Sequence, residues 1–63
     1  MKNNVKKYRE EKNMSQSELA KNSNVSRTTI SNLENNKAIT ITNITMEKIA
    51  KVLEKSVAEI FFE

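Results

Sequence analysis

No glycine and no proline occurs anywhere in the 63 residues. The chain therefore lacks the two residues that most often punctuate helices, and it must mark helix boundaries by other means. Those are hydrogen-bonding caps at the starts and asparagine, the next residue most tolerant of left-handed backbone, at the ends. The caps are legible. Ser15-Gln-Ser-Glu18 and Ser56-Val-Ala-Glu59 both fit the S-x-x-E capping box, in which the serine oxygen accepts from one orphan amide and the glutamate reaches back to another. Ser31-Asn-Leu-Glu34 also fits, but it falls inside the helical spacing of Ile30 and Leu33 and reads as a chance match.

These signals predict a first helix over about Asn4 to Lys12, burying Val5 and Tyr8, with Asn13 as its left-handed cap. A second helix runs from Gln16 to Asn22, and Asn22-Ser-Asn24 supplies a tight turn. Ser26 caps a third helix to about Glu34, after which Asn35-Asn36 turns the chain. From Ala38 to Thr45 apolar and polar residues alternate with period two, a pattern compatible with extended chain. Met46, Ile49, Ala50 and Leu53 then restore helical spacing, leaving the start of the fourth helix open. A short fifth helix after Ser56 places Val57, Ile60 and Phe61 on one face. The expected class is all-α.

Length and a hydrophobic fraction of 37% suit one small domain over residues 1–63 with a single, marginal core. With no cysteine there is no disulfide framework or thiolate nucleophile, and with no histidine either the usual zinc ligand sets are unavailable. The usual nucleophile-base pairs and Gly-rich nucleotide cradles cannot be assembled from what remains, so neither an enzyme nor a metal or other cofactor is expected. No apolar run approaches the length of a membrane span, and MKNNVKKYREEK lacks the apolar segment of a signal peptide. A cytoplasmic location without membrane contact is the expectation that follows. The net charge of +3 decides little by itself. Its distribution says more: acidic residues are absent between Leu19 and Leu33 and sparse up to Met46, the interval that holds Lys21, Arg27 and Lys37. The middle of the chain is where an anion can approach.

That interval contains Asn24 to Lys37, NVSRTTISNLENNK. Ile30 and Leu33 have helical spacing, yet nearly everything around them is Ser, Thr, Asn or Arg. Ser, Thr and Asn are mediocre helix formers, and a merely solvated face does better with Glu, Lys, Gln and Ala. Gln16 to Asn35 reads as two helices at a steep angle around a short turn. Leu19 and Val25 fill the angle, Ala20 is small where the helices cross, Asn24 takes the left-handed position, and Ile30 and Leu33 pin the second helix.

The run from Arg9 through Leu53 carries a resemblance. It contains Ser15-Gln16-x-Glu18-Leu19-Ala20, then Val25-Ser26-Arg27-x-Thr29-Ile30-Ser31-x-Leu33-Glu34-Asn35, then Ile49-Ala50-Lys51-x-Leu53. It resembles the Cro/cI-type (XRE) helix-turn-helix regulators, and with Val5, Tyr8 and Ser56 to Phe61 the likeness covers nearly the whole chain. The resemblance implies a compact five-helix fold of the phage-repressor type, with its helix-turn-helix unit at about 16–35 and its third helix lying in the DNA major groove. It implies base reading by Arg27, Thr28 and Asn32, with Thr29 beside them. Arg pairs with a guanine edge, Asn with an adenine edge, and Thr offers a hydroxyl to a base or a methyl to thymine. Phosphate contacts are implied for Ser15 and Gln16 at the start of helix two, and for Asn35 and Lys37 after helix three. Gln16 also suits that role physically, because a helix N-terminus offers free amides and a positive dipole end. Arg9 and Glu34 stand where the family carries a structural salt bridge between helices one and three.

The sequence departs from the family pattern at Ser23, where an apolar residue is usual, and at Asn24 and Asn36, where glycine is common. The Lys37 to Thr45 connection is about one residue longer than is usual in the family and lacks the common proline. Phe61 and Phe62 point about 100° apart on a helix, so one completes the core and the other is left for a dimer contact; Phe62 is the first candidate and Phe61 the second. The functional expectation is a sequence-specific double-stranded DNA-binding regulator, a repressor acting as a homodimer on a palindromic operator, with no small-molecule ligand. The alternative is a protein-binding module, such as an antitoxin or anti-repressor partner, whose DNA contact is weak or autoregulatory.

Overall fold

The computed structural model describes residues 2–37 and 39–63. Within them lie α1 (Val5–Glu11), α2 (Gln16–Ser23), α3 (Arg27–Glu34), α4 (Asn43–Leu53) and α5 (Val57–Phe61), and no strand. Helix starts are fixed by hydroxyl side chains. In α2 the Glu18 amide donates to Ser15 Oγ at 3.0 Å while the Ser15 amide donates to the Glu18 carboxylate at 2.8 Å, so both halves of the capping box are closed. Ser56 and Glu59 repeat the arrangement at α5, both bonds at 3.0 Å. Ser26 accepts the Thr29 amide at α3. Helix α1 starts differently: Asn4 makes no side-chain cap, and the Val5 amide donates instead to Asn3 Oδ1 at 3.0 Å.

The start left open by the sequence is Asn43. Thr42 caps α4 by accepting the Thr45 amide at 3.1 Å, so the period-two pattern ends there. Ile39 and Ile41 lie half-buried against the core before it, whereas Ile44, the second residue of the helix, is exposed. Ala38, the first residue of that pattern, lies outside the described residues.

Helix ends repeat one device. Asn13, Asn24, Asn36 and Glu54 all have φ between 56° and 58°. After each, the next residue's amide returns to a carbonyl five residues back: Met14 to Arg9, Val25 to Ala20, Lys37 to Asn32 and Lys55 to Ala50. These are Schellman-type ends, normally built on glycine. Asparagine substitutes at three of them at small steric expense, while Glu54 is a residue with no such tolerance. Ser23, in a position usually apolar, is 5% exposed. Its hydroxyl donates to the Leu19 carbonyl at 2.6 Å, so burial leaves it satisfied.

Val5, Leu19, Ile30, Leu33, Ile49, Leu53 and Ile60 are almost completely buried. Each contributes about 1.5–3 kcal/mol on removal from water. Helix α1 packs on α3 and α5, α2 on α3 and α4, and α4 on α5. Met14 and Leu19, Val25 and Ile30, and Ile41 and Met46 stand at the positions of hydrophobic staples across the starts of α2, α3 and α4, all within the one apolar cluster. Phe61, the second candidate for a dimer contact, belongs to that core at 6% exposure, leaving Phe62, 68% exposed, as the phenylalanine at the surface. Phe61 is the last residue of α5 and Phe62 is its C-cap, with φ −128°.

Candidate nucleic-acid interface

Because Ile30 and Leu33 face the core, the opposite side of α3 faces solvent. Arg27 and Thr28 are exposed and Asn32 is partly so. Helical spacing stacks Thr28 under Asn32, and places Ser31 between Arg27 and Asn35. Ser31, half-exposed, accepts from the Asn35 amide group at 3.4 Å and thereby joins this surface. Its i,i+4 position was the sequence signal, obscured by its place in a spurious capping-box match. Thr29 stands apart from the others. It is half-buried, its Oγ1 lies 2.8 Å from Ser26 Oγ, and it lines a cleft of about 250 Å³ between the starts of α3 and α4, with Thr42, Thr45 and Lys48 across it.

The four residues assigned to phosphate flank this face. Ser15 is exposed at the start of α2 with its oxygen engaged as the cap. Gln16 is half-buried, and its amide donates to Glu34 Oε1 at 3.1 Å. Asn35 and Lys37 are exposed just beyond α3, where the Asn35 and Lys37 amides close on the Ser31 and Asn32 carbonyls.

Under this rim lies a charged network. Arg9 Nε donates to Glu34 Oε2 at 2.6 Å and Nη2 to Oε1 at 3.0 Å, a two-pronged bond, while Nη1 donates to the Met14 carbonyl. The side chains are only 12% and 3% exposed. Burial pushes the Glu34 carboxyl up, but bonds from Arg9 and Gln16, with the nearby charges of Arg9 and Lys6, outweigh it and hold Glu34 below the usual carboxylate range. The Arg9 guanidinium is correspondingly held more firmly protonated by its bond to Glu34. One carboxylate thus ties α1 and the first residue of α2 to the last residue of α3, while the same Arg9 side chain holds the α1–α2 link at Met14. Elsewhere Lys12 pairs with Glu54 at the surface, and the ammonium groups of Lys7 and Lys55 stand 5.3 and 5.0 Å from the centre of the half-buried Tyr8 ring.

Two helices joined by a left-handed Asn24, the second presenting hydrogen-bonding side chains to solvent, define a helix-turn-helix. A family model described as helix-turn-helix (HTH_3) matches residues 5–60, and the chain belongs to that family of non-enzymatic regulators, as its likeness to the Cro/cI type implied. Among solved structures, a chain of the SinR protein/SinI protein complex is similar with a TM-score of 0.86 and 36% identity, over 94% of this chain and 57% of that one. The N-terminal DNA-binding domain of SinR from Bacillus subtilis is similar with a TM-score of 0.79 and 38% identity, over 84% of this chain and 77% of that one. A solution structure of the N-terminal DNA-binding domain of the master biofilm-regulator SinR from Bacillus subtilis gives 0.82 and 36%, over 94% and 86%. This chain spans a little over half the length of the matched chain in the SinR/SinI complex. No curated protein matches the chain.

Proposed function

We propose that this protein is a sequence-specific double-stranded DNA-binding transcriptional regulator. The observation that carries the reading is α3 itself, pinned by buried Ile30 and Leu33 and exposing Arg27, Thr28 and Asn32 in a stretch whose one acid, Glu34, is already neutralised by Arg9. In this reading α3 enters the major groove, Arg27 and Asn32 pair with base edges, and Thr28 adds a hydroxyl or methyl contact. Ser15, Gln16, Asn35 and Lys37 hold the backbone on either side and set the docking angle. Glu34 supports this by orienting Gln16 through the 3.1 Å bond. The similarity to structures described as DNA-binding domains supports the same reading. One α3 reads only a few base pairs, so we assign the protein to a homodimer on a palindromic operator, repressing by occlusion.

The test is selection of bound duplexes from a random pool, followed by binding of the selected and a scrambled duplex over a salt series. The expected result is a palindromic site bound at least about a thousandfold more tightly than scrambled DNA, with log K falling linearly in log salt. Absence of any enriched site, with only weak binding at physiological salt, overturns the reading in favour of a protein-binding module.

A further inference from the structure

The end of α3 is held from two directions by residues of one segment. From inside α1, Arg9 grips Glu34. From just before α1, the Asn3 amide group donates to the Leu33 carbonyl at 2.8 Å, across thirty positions of sequence. The same side chain turns its oxygen to the Val5 amide at 3.0 Å, so one carboxamide starts α1 with its acceptor and grips the end of α3 with its donor. Asn4 continues the join on the other side. Its backbone amide donates to the Ile60 carbonyl at 2.8 Å and its side-chain amide to the Glu59 carbonyl at 2.9 Å, fastening the same segment to α5.

We propose that Asn3 is a positioning residue for DNA recognition, clasping the last turn of α3 so that the segment before α1 sets the tilt of the reading helix. The inference rests on the DNA-binding reading above. Leu33 is the last core anchor of α3, and Asn32, Asn35 and Lys37 surround it in sequence. A tilt at the Leu33 carbonyl therefore moves a base-reading residue and two phosphate-binding residues together. Base contacts depend on placement to within about half an ångström, whereas non-specific attraction to phosphate is tolerant of it. The clasp thus governs selectivity more than affinity for DNA in general.

The discriminating variant is Asn3→Asp. A carboxylate still accepts the Val5 amide and suits the positive end of α1, but it cannot donate to Leu33 and sets an oxygen against that carbonyl. Two readouts are compared with the unaltered protein: amide hydrogen exchange at Asn35 to Lys37, and the ratio of affinities for the selected and a scrambled duplex. The ratio removes the uniform loss expected from one added negative charge. The expected result is exchange at Asn35 to Lys37 faster by about tenfold and a ratio reduced by about tenfold, with exchange in the middle of α1 unchanged. A neutral Asn3→Ser variant, too short to reach α3 but able to accept from Val5, is expected to act in the same direction and serves if Asn3→Asp does not fold. Unchanged exchange and an unchanged ratio overturn the proposal and leave Asn3 as the cap of α1. If the unaltered protein selects no duplex, the DNA-binding reading fails by itself, and the exchange arm still decides whether the clasp exists. Faster exchange with an unchanged ratio overturns the positioning role while confirming the bond.

Discussion

The most consequential single group is the Glu34 carboxylate, 3% exposed and bonded by Arg9 and Gln16. A buried ion pair need not stabilise relative to an apolar pair of similar volume, but removing one partner strands the other. Arg9→Met is therefore expected to destabilise by about 3 kcal/mol, a large share of what a domain of this size has, while adding Glu34→Leu in the same chain recovers much of the loss. Urea denaturation of the two single variants and the double variant measures this coupling. Additive losses in the double variant would mean that the two charges do not act as a unit. Glu54 presents the opposite case, a residue whose backbone is against its interest at φ 57°. Its surface bond to Lys12 contributes little in solvent. Glu54→Gly is expected to raise the melting temperature by a few degrees despite losing that bond, because glycine occupies the left-handed region without a Cβ clash. Glu54→Ala, which keeps the clash, is the control and is expected to give no gain.

At the level of the helices, the claim on α3 divides into two experiments. Arg27→Ala is expected to leave the melting temperature unchanged, since the side chain is exposed, and to reduce preference for the selected site by about 1–3 kcal/mol. Lys37→Ala is expected to weaken binding to all duplexes alike and to shallow the salt dependence by roughly one unit of slope. Equal losses on selected and scrambled DNA for Arg27→Ala would remove it from base reading. Much of this helix was legible because its signals are local: the Ser26 cap, the Ile30 and Leu33 spacing and the left-handed Asn24 all lie within or beside it. The two capping boxes were equally legible, since their Ser-x-x-Glu spacing falls where an apolar helical pattern begins, whereas the same spacing at Ser31 to Glu34 falls inside one. The start of α4 was not, because Thr42 caps it with Thr45 at the third position in place of an acid, and the half-buried Ile39 and Ile41 extend a strand-like alternation up to it. Nor did the sequence disclose Glu54 as left-handed, since glutamate carries no such preference and the position is fixed by packing α5 onto α4. The bonds holding the end of α3, from Asn3 to the Leu33 carbonyl and from Arg9 and Gln16 to Glu34, reach across as many as thirty positions, and only the Arg9–Glu34 pair had a counterpart in the family resemblance.

For the molecule as a whole, the depressed carboxyl of Glu34 gives stability a defined acid limb. A carboxylate whose folded pKa lies below its unfolded value adds stability that is present above the ordinary carboxylate range and disappears as pH falls through the folded value. The urea midpoint is expected to be flat near neutrality and to drop on acidification below about pH 4, with Glu34→Gln less stable at pH 7 but shallower in that drop. Equal slopes for the two proteins would assign acid sensitivity to other carboxylates. Assembly is the remaining whole-molecule question. The core has room for Phe61 but leaves Phe62 at 68% exposure, so replacing Phe62 removes almost no packing within the monomer. If Phe62 belongs to the proposed dimer contact, Phe62→Ser keeps the melting temperature at high dilution and keeps the affinity for an isolated half-site. It then loses at least about tenfold in affinity for the full palindrome, because the second half-site no longer benefits from being held close by the first. Titrations of half-site and full-site duplexes with both proteins separate these terms. An unchanged full-site affinity would place the two-fold contact elsewhere on the surface, with exposed Ile44 at the start of α4 the next side chain to replace.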